Sequence, residues 1–402
     1  IIADGTGSGQ DVRRARRRRL ATADPTDPAA ATWGVRRAAA SSGGAASSSS
    51  ALRMPAAWRG YGDDADTVAS SLVAKLTNDE KVRLIQGVGW SGWTLAPGFY
   101  VGSAFAVPRL GIPSQNMQDA AQGFRTSERR TVGQVTSWPC ALAVASTWDR
   151  ALTREWAAAI AREFKTKGAN VILGPSINVH RVARNGRNAE YLSGEDPHLG
   201  VALAPEYVAG VQGEGVAGVA KHYALNNQET RRDTISDDAS ERALWEIYYP
   251  PFEASVAAGV ASIMCGYNRV NGTHACGSRK LLVDDLKGKM GFDGWVMSDW
   301  WAVHATDAAA NGVDQLMPGN LNYFDEAPLY RTVGATRVDE MATRVLRGLI
   351  GAGAFAPPAA CVVGCDCFPL IADAVATSPA HVALARRIGA SATVLLKNDG
   401  AV

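Results

Sequence analysis

The stretch GWVMSDWW, Gly294–Trp301, decides how the rest of the chain is read. Trp295, Val296 and Met297 read as the inside of a buried strand. Ser298 and the carboxylate Asp299 follow, and then two indoles, Trp300 and Trp301. An acid pressed between apolar strand and indole is costly to bury unless it is paired or used. Working outward, similar short apolar runs recur at 135–137, 169–174 (ANVILG), 218–223 (GVAKHY) and 261–267 (ASIMCGY). Between and before them lie segments of helical spacing: 66–87, 149–168, 198–215, 241–259 and 278–291. Thr77–Asn78–Asp79 reads as a cap-like break in the first of these. Short buried strands alternating with helices predict βα units and a parallel sheet. Some six to eight such units in roughly 300 residues fit an α/β fold of the (β/α)8, TIM-like barrel type better than an open doubly wound sheet. No G-x-G-x-x-G follows an early strand, which argues against a dinucleotide site.

Polar residues gather just after these runs. Asp119 follows PSQNMQ, Lys221 and His222 follow GVA, Tyr267 follows ASIMCG, and Asp299 follows GWVMS. In a (β/α)8 barrel all strand C-termini open onto one face, so these distant positions are expected to converge. With Arg187 they make two acids, strong cations and a histidine, a set able to grip a ring carrying several hydroxyls. Trp300 adds a flat apolar face for such a ring. Each feature also has a bland reading: a Trp-flanked Asp as a buried structural acid, and a Lys-His pair as a salt-bridged strand end.

Bulk properties narrow the classes. The chain has 402 residues, 47% of them hydrophobic and 20% charged, with a formal net charge of +2. This is ordinary globular composition and gives no sign of a nucleic-acid partner. No run of about 18 apolar residues is present, so no membrane span is expected. Residues 1–55, rich in Ala, Ser, Gly and Arg, read as a disordered segment, and the arginine run Arg13–Arg19 as solvated tail. No secretory h-region is visible, so the compartment is not readable from this N-terminus. The cysteines Cys140, Cys265, Cys276, Cys361, Cys365 and Cys367 show no zinc-ligand spacing, and neither metal nor cofactor is expected. Cys265 and Cys276 flank the turn-like NRVNGTHA, which leaves either a hairpin-closing disulfide or two free thiols. The expected organisation is a barrel over 56–352, a Pro- and Cys-rich linker over 353–380, and, over 381–402, a helix and the strand TVLL opening a further domain.

From about Asp66 to Val402 the chain resembles glycoside hydrolase family 3 β-glucosidases. The matching stretches are GPSINVHRVARNGRNAEYLSGEDPHLG (174–200), AKHYALNNQETRRDTISDDASERALWEIYYPPFEASVAAGVASIMCGYNRVNG (220–272), GFDGWVMSDWWAVHAT (291–306), NGVDQLMPG (311–319) and ATVLLKNDG (392–400). The resemblance implies that Asp299, the Asp of an MSDW motif, is a catalytic nucleophile, and that Trp300 walls the sugar subsite. It implies that Asp119, in a DAAQG that departs from DGP-x-G, grips sugar hydroxyls. Arg187 of GRNAE, the pair Lys221 and His222, Met264 and Tyr267 complete the expected substrate site. Ala120, Ala121 and Ala189 are departures from the family pattern. The implied activity is retaining, exo-acting hydrolysis of terminal β-D-glucosyl residues, with a β-xylosidase or a non-catalytic sugar-binding protein as alternatives. The resemblance also implies secretion, and an acid/base Glu in an α/β sandwich domain that barely begins here, so that these residues alone are expected to be weakly active. Glu190, Glu229 and Asp293 are the barrel carboxylates that would have to substitute. Glu190 and Glu195 are instead expected to brace the Arg187 loop.

Overall fold

A computed structural model of the chain describes residues 64–125, 128–355 and 361–400. The segment 1–55 with its arginine run lies outside the described residues. Two helices open the described chain, α1 (Ala65–Val73) and α2 (Asn78–Ile85). The break between them is chemical. Thr77 accepts from the Glu80 amide while the Glu80 carboxylate accepts from the Thr77 amide, a reciprocal capping box.

The centre is a six-stranded mixed sheet. In chain order its strands are β1 (Gly102–Ala104), β2 (Gln115–Asp119), β3 (Val171–Leu173), β4 (Ala217–Tyr223), β5 (Ser262–Cys265) and β6 (Trp295–Ser298), paired in that sequence. β2 to β6 run parallel, and β1 pairs antiparallel with β2. The apolar runs are buried throughout; every residue of β4 is buried, as parallel strands covered on both faces must be. Outside them pack α3 (Arg150–Thr166), α4 (Pro197–Gly213), α5 (Pro250–Ala257) and the long α6 (Glu326–Gly351). Asp149 and Asp196 cap α3 and α4 by accepting backbone N–H groups. α6 comes so close to β6 that a Cβ on Gly348 would lie 2.4 Å from the Trp295 ring. The segment 278–291, expected as a helix, winds as a π-helix over Lys280–Lys289.

The sheet curls, but it is not a regular eight-stranded ring. The span between its edge strands β1 and β6 is crossed by single rungs rather than ladders: Met297 with Gln315, Gln86 with Leu316, and Val88 N–H to Ser103 O at 2.8 Å. Two strands differ from the sequence reading. Residues 135–137 form none. Thr136 instead bonds outward, its hydroxyl to that of Thr377 at 2.6 Å and its amide to Glu163, while the neighbouring Gln134 O accepts from Ala376 and Thr377. β2 is a strand made of Gln115, Asn116, Met117, Gln118 and Asp119, too polar to be read as a buried run. Its side-chain amides donate inward, Gln115 to Leu84 O and Asn116 to Gly168 O.

Beyond α6, the described part of the expected linker carries a helix at Phe368–Asp373 and a disulfide between Cys361 and Cys367. A second disulfide joins Cys265 to Cys276 across the turn. Helix α7 (Pro379–Ser391) follows, but the expected strand TVLL does not form. A strand exists through its partners, and here Val394, Leu395 and Leu396 are exposed with no described strand beside them. No described helix is long and apolar enough to cross a membrane.

Candidate active site

The parallel strands carry their last residues to one end of the sheet, and a cavity of about 480 Å³ opens there. That lies within the roughly 300–1,000 Å³ usual for small-ligand pockets. Asp119 ends β2, Lys221 and His222 lie near the end of β4, Met264 lies in β5, and Asp299 directly follows β6. Tyr267 stands two residues past β5. Arg187 comes from the loop after β3, just before the turn Asn188–Glu190, and Trp300 forms a wall. All the site residues anticipated from the sequence line this one cavity.

Asp299 is 6% exposed. Its Oδ1 accepts the Trp300 backbone N–H at 2.8 Å. Its Oδ2 has no full hydrogen bond. His222 Nε2 is 3.4 Å away, and the Tyr267 hydroxyl faces the same carboxylate. Burial raises the Asp299 pKa above the ordinary carboxylate value, against the opposing pull of Arg187, Lys221, the Trp300 amide and Tyr267. The result is a buried carboxyl group set among cations, with one oxygen left for a ligand.

His222 explains why that oxygen stays free. Burial, reinforced by Arg187, Lys221 and Arg232, holds its pKa well below the usual value, so the ring is neutral. Arg187 Nη2 lies 3.1 Å from its Nε2, and an arginine only donates. The network therefore assigns the ring proton to Nδ1, which points at the Tyr191 hydroxyl at 2.9 Å. Nε2 then presents a lone pair to Asp299 and cannot bond it. Asn178 fixes the His222 backbone from both sides, accepting its N–H at 2.7 Å and donating to its carbonyl at 2.9 Å.

The other carboxylates singled out from the sequence are mostly paired, although Glu229 Oε1, like Asp299 Oδ2, has no full hydrogen bond. Asp119 is ion-paired with Arg125, with Lys221 Nζ 4.0 Å from its other oxygen. Glu190 accepts from Arg187 at 2.6 Å, so it does brace the Arg187 loop. Glu195 does not reach that arginine; its charge acts on His180. Glu229 pairs with Arg232 at 2.7 Å and faces Arg187 at 3.5 Å. Asp293 precedes β6 and pairs with Arg347, so it sits at the strand end opposite Asp299. Sequence reading passed over Arg125, Trp90 and Arg232, which also line the cavity. Arg125 is the legible one: it lies six residues after Asp119, on the same loop. Among the described residues no group of three metal-ligating side chains occurs.

Comparisons with known proteins identify the family. The Glycosyl hydrolase family 3 N terminal domain matches residues 100–319. The chain is 39% identical over 337 residues to a beta-glucosidase of Rhizobium radiobacter, spanning 82% of this chain and 38% of that protein. It is 41% identical over 293 residues to a probable beta-glucosidase M of Aspergillus fumigatus, spanning 69% of this chain and 36% of the other. Among solved structures, the beta-glucosidase D2-BGL of Chaetomella raphigera superposes with a TM-score of 0.76 at 35% identity, over 84% of this chain and 47% of that one. Beta-glucosidase 3B of Thermotoga neapolitana in complex with glucose gives 0.73 at 33% identity, over 83% and 48%. The chain thus spans less than half the length of these relatives.

Proposed function

The chain belongs to glycosyl hydrolase family 3, and from that membership we propose a retaining, exo-acting β-glucosidase whose nucleophile is Asp299. One observation carries the proposal: a buried carboxylate at the base of a polar cavity, ringed by cations, with Oδ2 unbonded. In this reading the terminal glucosyl ring lies against Trp300. Asp119, Arg125, Lys221 and Arg187 take its hydroxyls. Asp299 Oδ2 forms a bond to the anomeric carbon as the bond to the leaving oxygen breaks, giving a glycosyl-enzyme that water later cleaves.

Retention also requires a second carboxyl about 5–5.5 Å from the first, to protonate the leaving oxygen and then activate water. Asp119, Glu190 and Glu229 are each bound to arginine, which suits them to bracing rather than proton transfer. The proposal therefore assigns the general acid to a carboxyl outside the described residues. The domain reading of the sequence, with a barrel over 56–352 and a further domain opening at 381, is part of the same proposal. The two disulfides fit an extracellular setting.

The test is to incubate the chain with 2,4-dinitrophenyl 2-deoxy-2-fluoro-β-glucoside and map the labelled peptide. This leaving group needs no proton, so a burst of dinitrophenolate and label on Asp299 are expected. Label on another residue overturns the assignment, and binding without any burst favours a non-catalytic sugar-binding protein. Cellobiose, whose leaving group needs the acid, is expected to react roughly 10²–10⁴-fold more slowly than in a chain that supplies one. Paired nitrophenyl glucoside and xyloside kinetics separate the β-xylosidase alternative.

A further inference from the structure

Arg232 lies on the loop after β4, and its guanidinium sits over the face of the Tyr267 ring, 4.1 Å from the centroid. Glu229 holds it there at 2.7 Å, and the other Glu229 oxygen faces Arg187. An aromatic face attracts a cation placed in this way. The Tyr267 hydroxyl faces the Asp299 carboxylate closely enough to raise the phenol pKa, while Asp299 Oδ2 itself meets no full hydrogen-bond geometry. Such contacts often tighten only when substrate is bound.

We propose that Arg232 is a positioning residue acting through Tyr267: clamped by Glu229, its cation seats the ring and holds the phenol hydroxyl against Asp299. The proposal rests on Asp299 being the nucleophile. A positive charge over the ring also draws electron density from the phenol and makes its O–H a better donor. Arg232 accordingly pulls the Tyr267 pKa down, while burial and the Asp299 charge push it up and keep the hydroxyl protonated. The rival role for Arg232 is direct contact with the sugar, since its side chain is 36% exposed and lines the cavity.

The experiment is a double-mutant cycle on the full chain, reading the dinitrophenolate burst from the fluoroglucoside across pH. Arg232→Gln is expected to slow the burst roughly tenfold, the size of weakening one hydrogen bond to a charged group. It should also move the acid limb of the profile to higher pH. Asp299 faces Arg187, Lys221, His222 and Tyr267, and with the Tyr267 contact loosened it ionises less readily. Arg232→Lys should restore most of the rate and the limb. In a Tyr267→Phe background, Arg232→Gln should add less than about twofold. An undiminished loss in that background, or weaker binding with an unmoved acid limb, overturns the proposal in favour of direct sugar contact. A wild-type chain with no burst and no label overturns the nucleophile reading, and this proposal with it.

Discussion

Two buried aspartates stand at the two ends of the same stretch of β6 and its neighbour, and they are opposites. Asp314 is 0% exposed, and both of its oxygens are bonded. Its Oδ1 takes Lys287 at 2.8 Å and Arg337 at 2.7 Å, and its Oδ2 takes the Val296 amide at 2.8 Å. Lys287 and the two arginines Arg337 and Arg344 outweigh burial, and its pKa lies below the ordinary value. Asp299 is nearly as buried, yet one oxygen has no full bond and its pKa is raised. Burial alone does not mark a functional acid. What sets Asp299 apart from Asp314 is an unbonded oxygen in a cavity lined by Arg187 and Lys221.

The largest test of this contrast is Asp299→Asn. The fluoroglucoside burst should fall roughly 10³-fold or more, since the group that forms the bond is gone. Thermal melting should show a fold at least as stable as before. Asp314→Asn should do the reverse, destabilising the chain by about 3–5 kcal/mol in denaturant titration because Lys287 and Arg337 are left buried without their anion. The burst of whatever remains folded should persist. If Asp314→Asn instead kills the burst in a stably folded chain, the division between the two acids is wrong.

A smaller and finer test is the pH dependence of the two stability effects, which must have opposite signs. Asp314 has a depressed folded pKa, so its contribution is present above the unfolded carboxylate pKa and is lost as pH falls through the folded value. The penalty of Asp314→Asn should shrink on acidification. Asp299 has a raised folded pKa, so wild type is favoured at low pH and loses that advantage as pH rises through the folded value. Any gain in melting temperature from Asp299→Asn should therefore be seen near neutrality and fade in acid. Parallel melting curves at several pH values read both.

Much of the site was legible because its residues sit where apolar runs end. Lys221 and His222 lie at the end of β4, and Tyr267 and Asp299 follow β5 and β6, in a pattern that a parallel sheet turns into one cavity. What escaped was polar or contributed by loops. β2 hides its strand character in Gln115, Asn116 and Gln118, whose amides bond inward. Arg125 and Arg232 enter through loops, where no periodicity announces a direction. TVLL has strand composition but no described neighbour, and composition without a partner makes no ladder.

The amino-acid sequence by itself determined the alternation of buried strands and helices, the family, and the identity of the residues that meet at the strand ends. It singled out Asp299 through MSDWW, but it did not show how that acid or Asp314 of GVDQL is bonded. Only the tertiary structure decided that Asp314 is fully bonded and that Asp299 Oδ2 is not. The partners that settle the matter, Lys287 and Arg337 for one and a neutral His222 turned by Arg187 and Tyr191 for the other, come from remote segments. Hydrogen bonding is a short-range and directional force, so whether a buried charge is satisfied depends on which distant groups the fold brings within 3 Å or so of it.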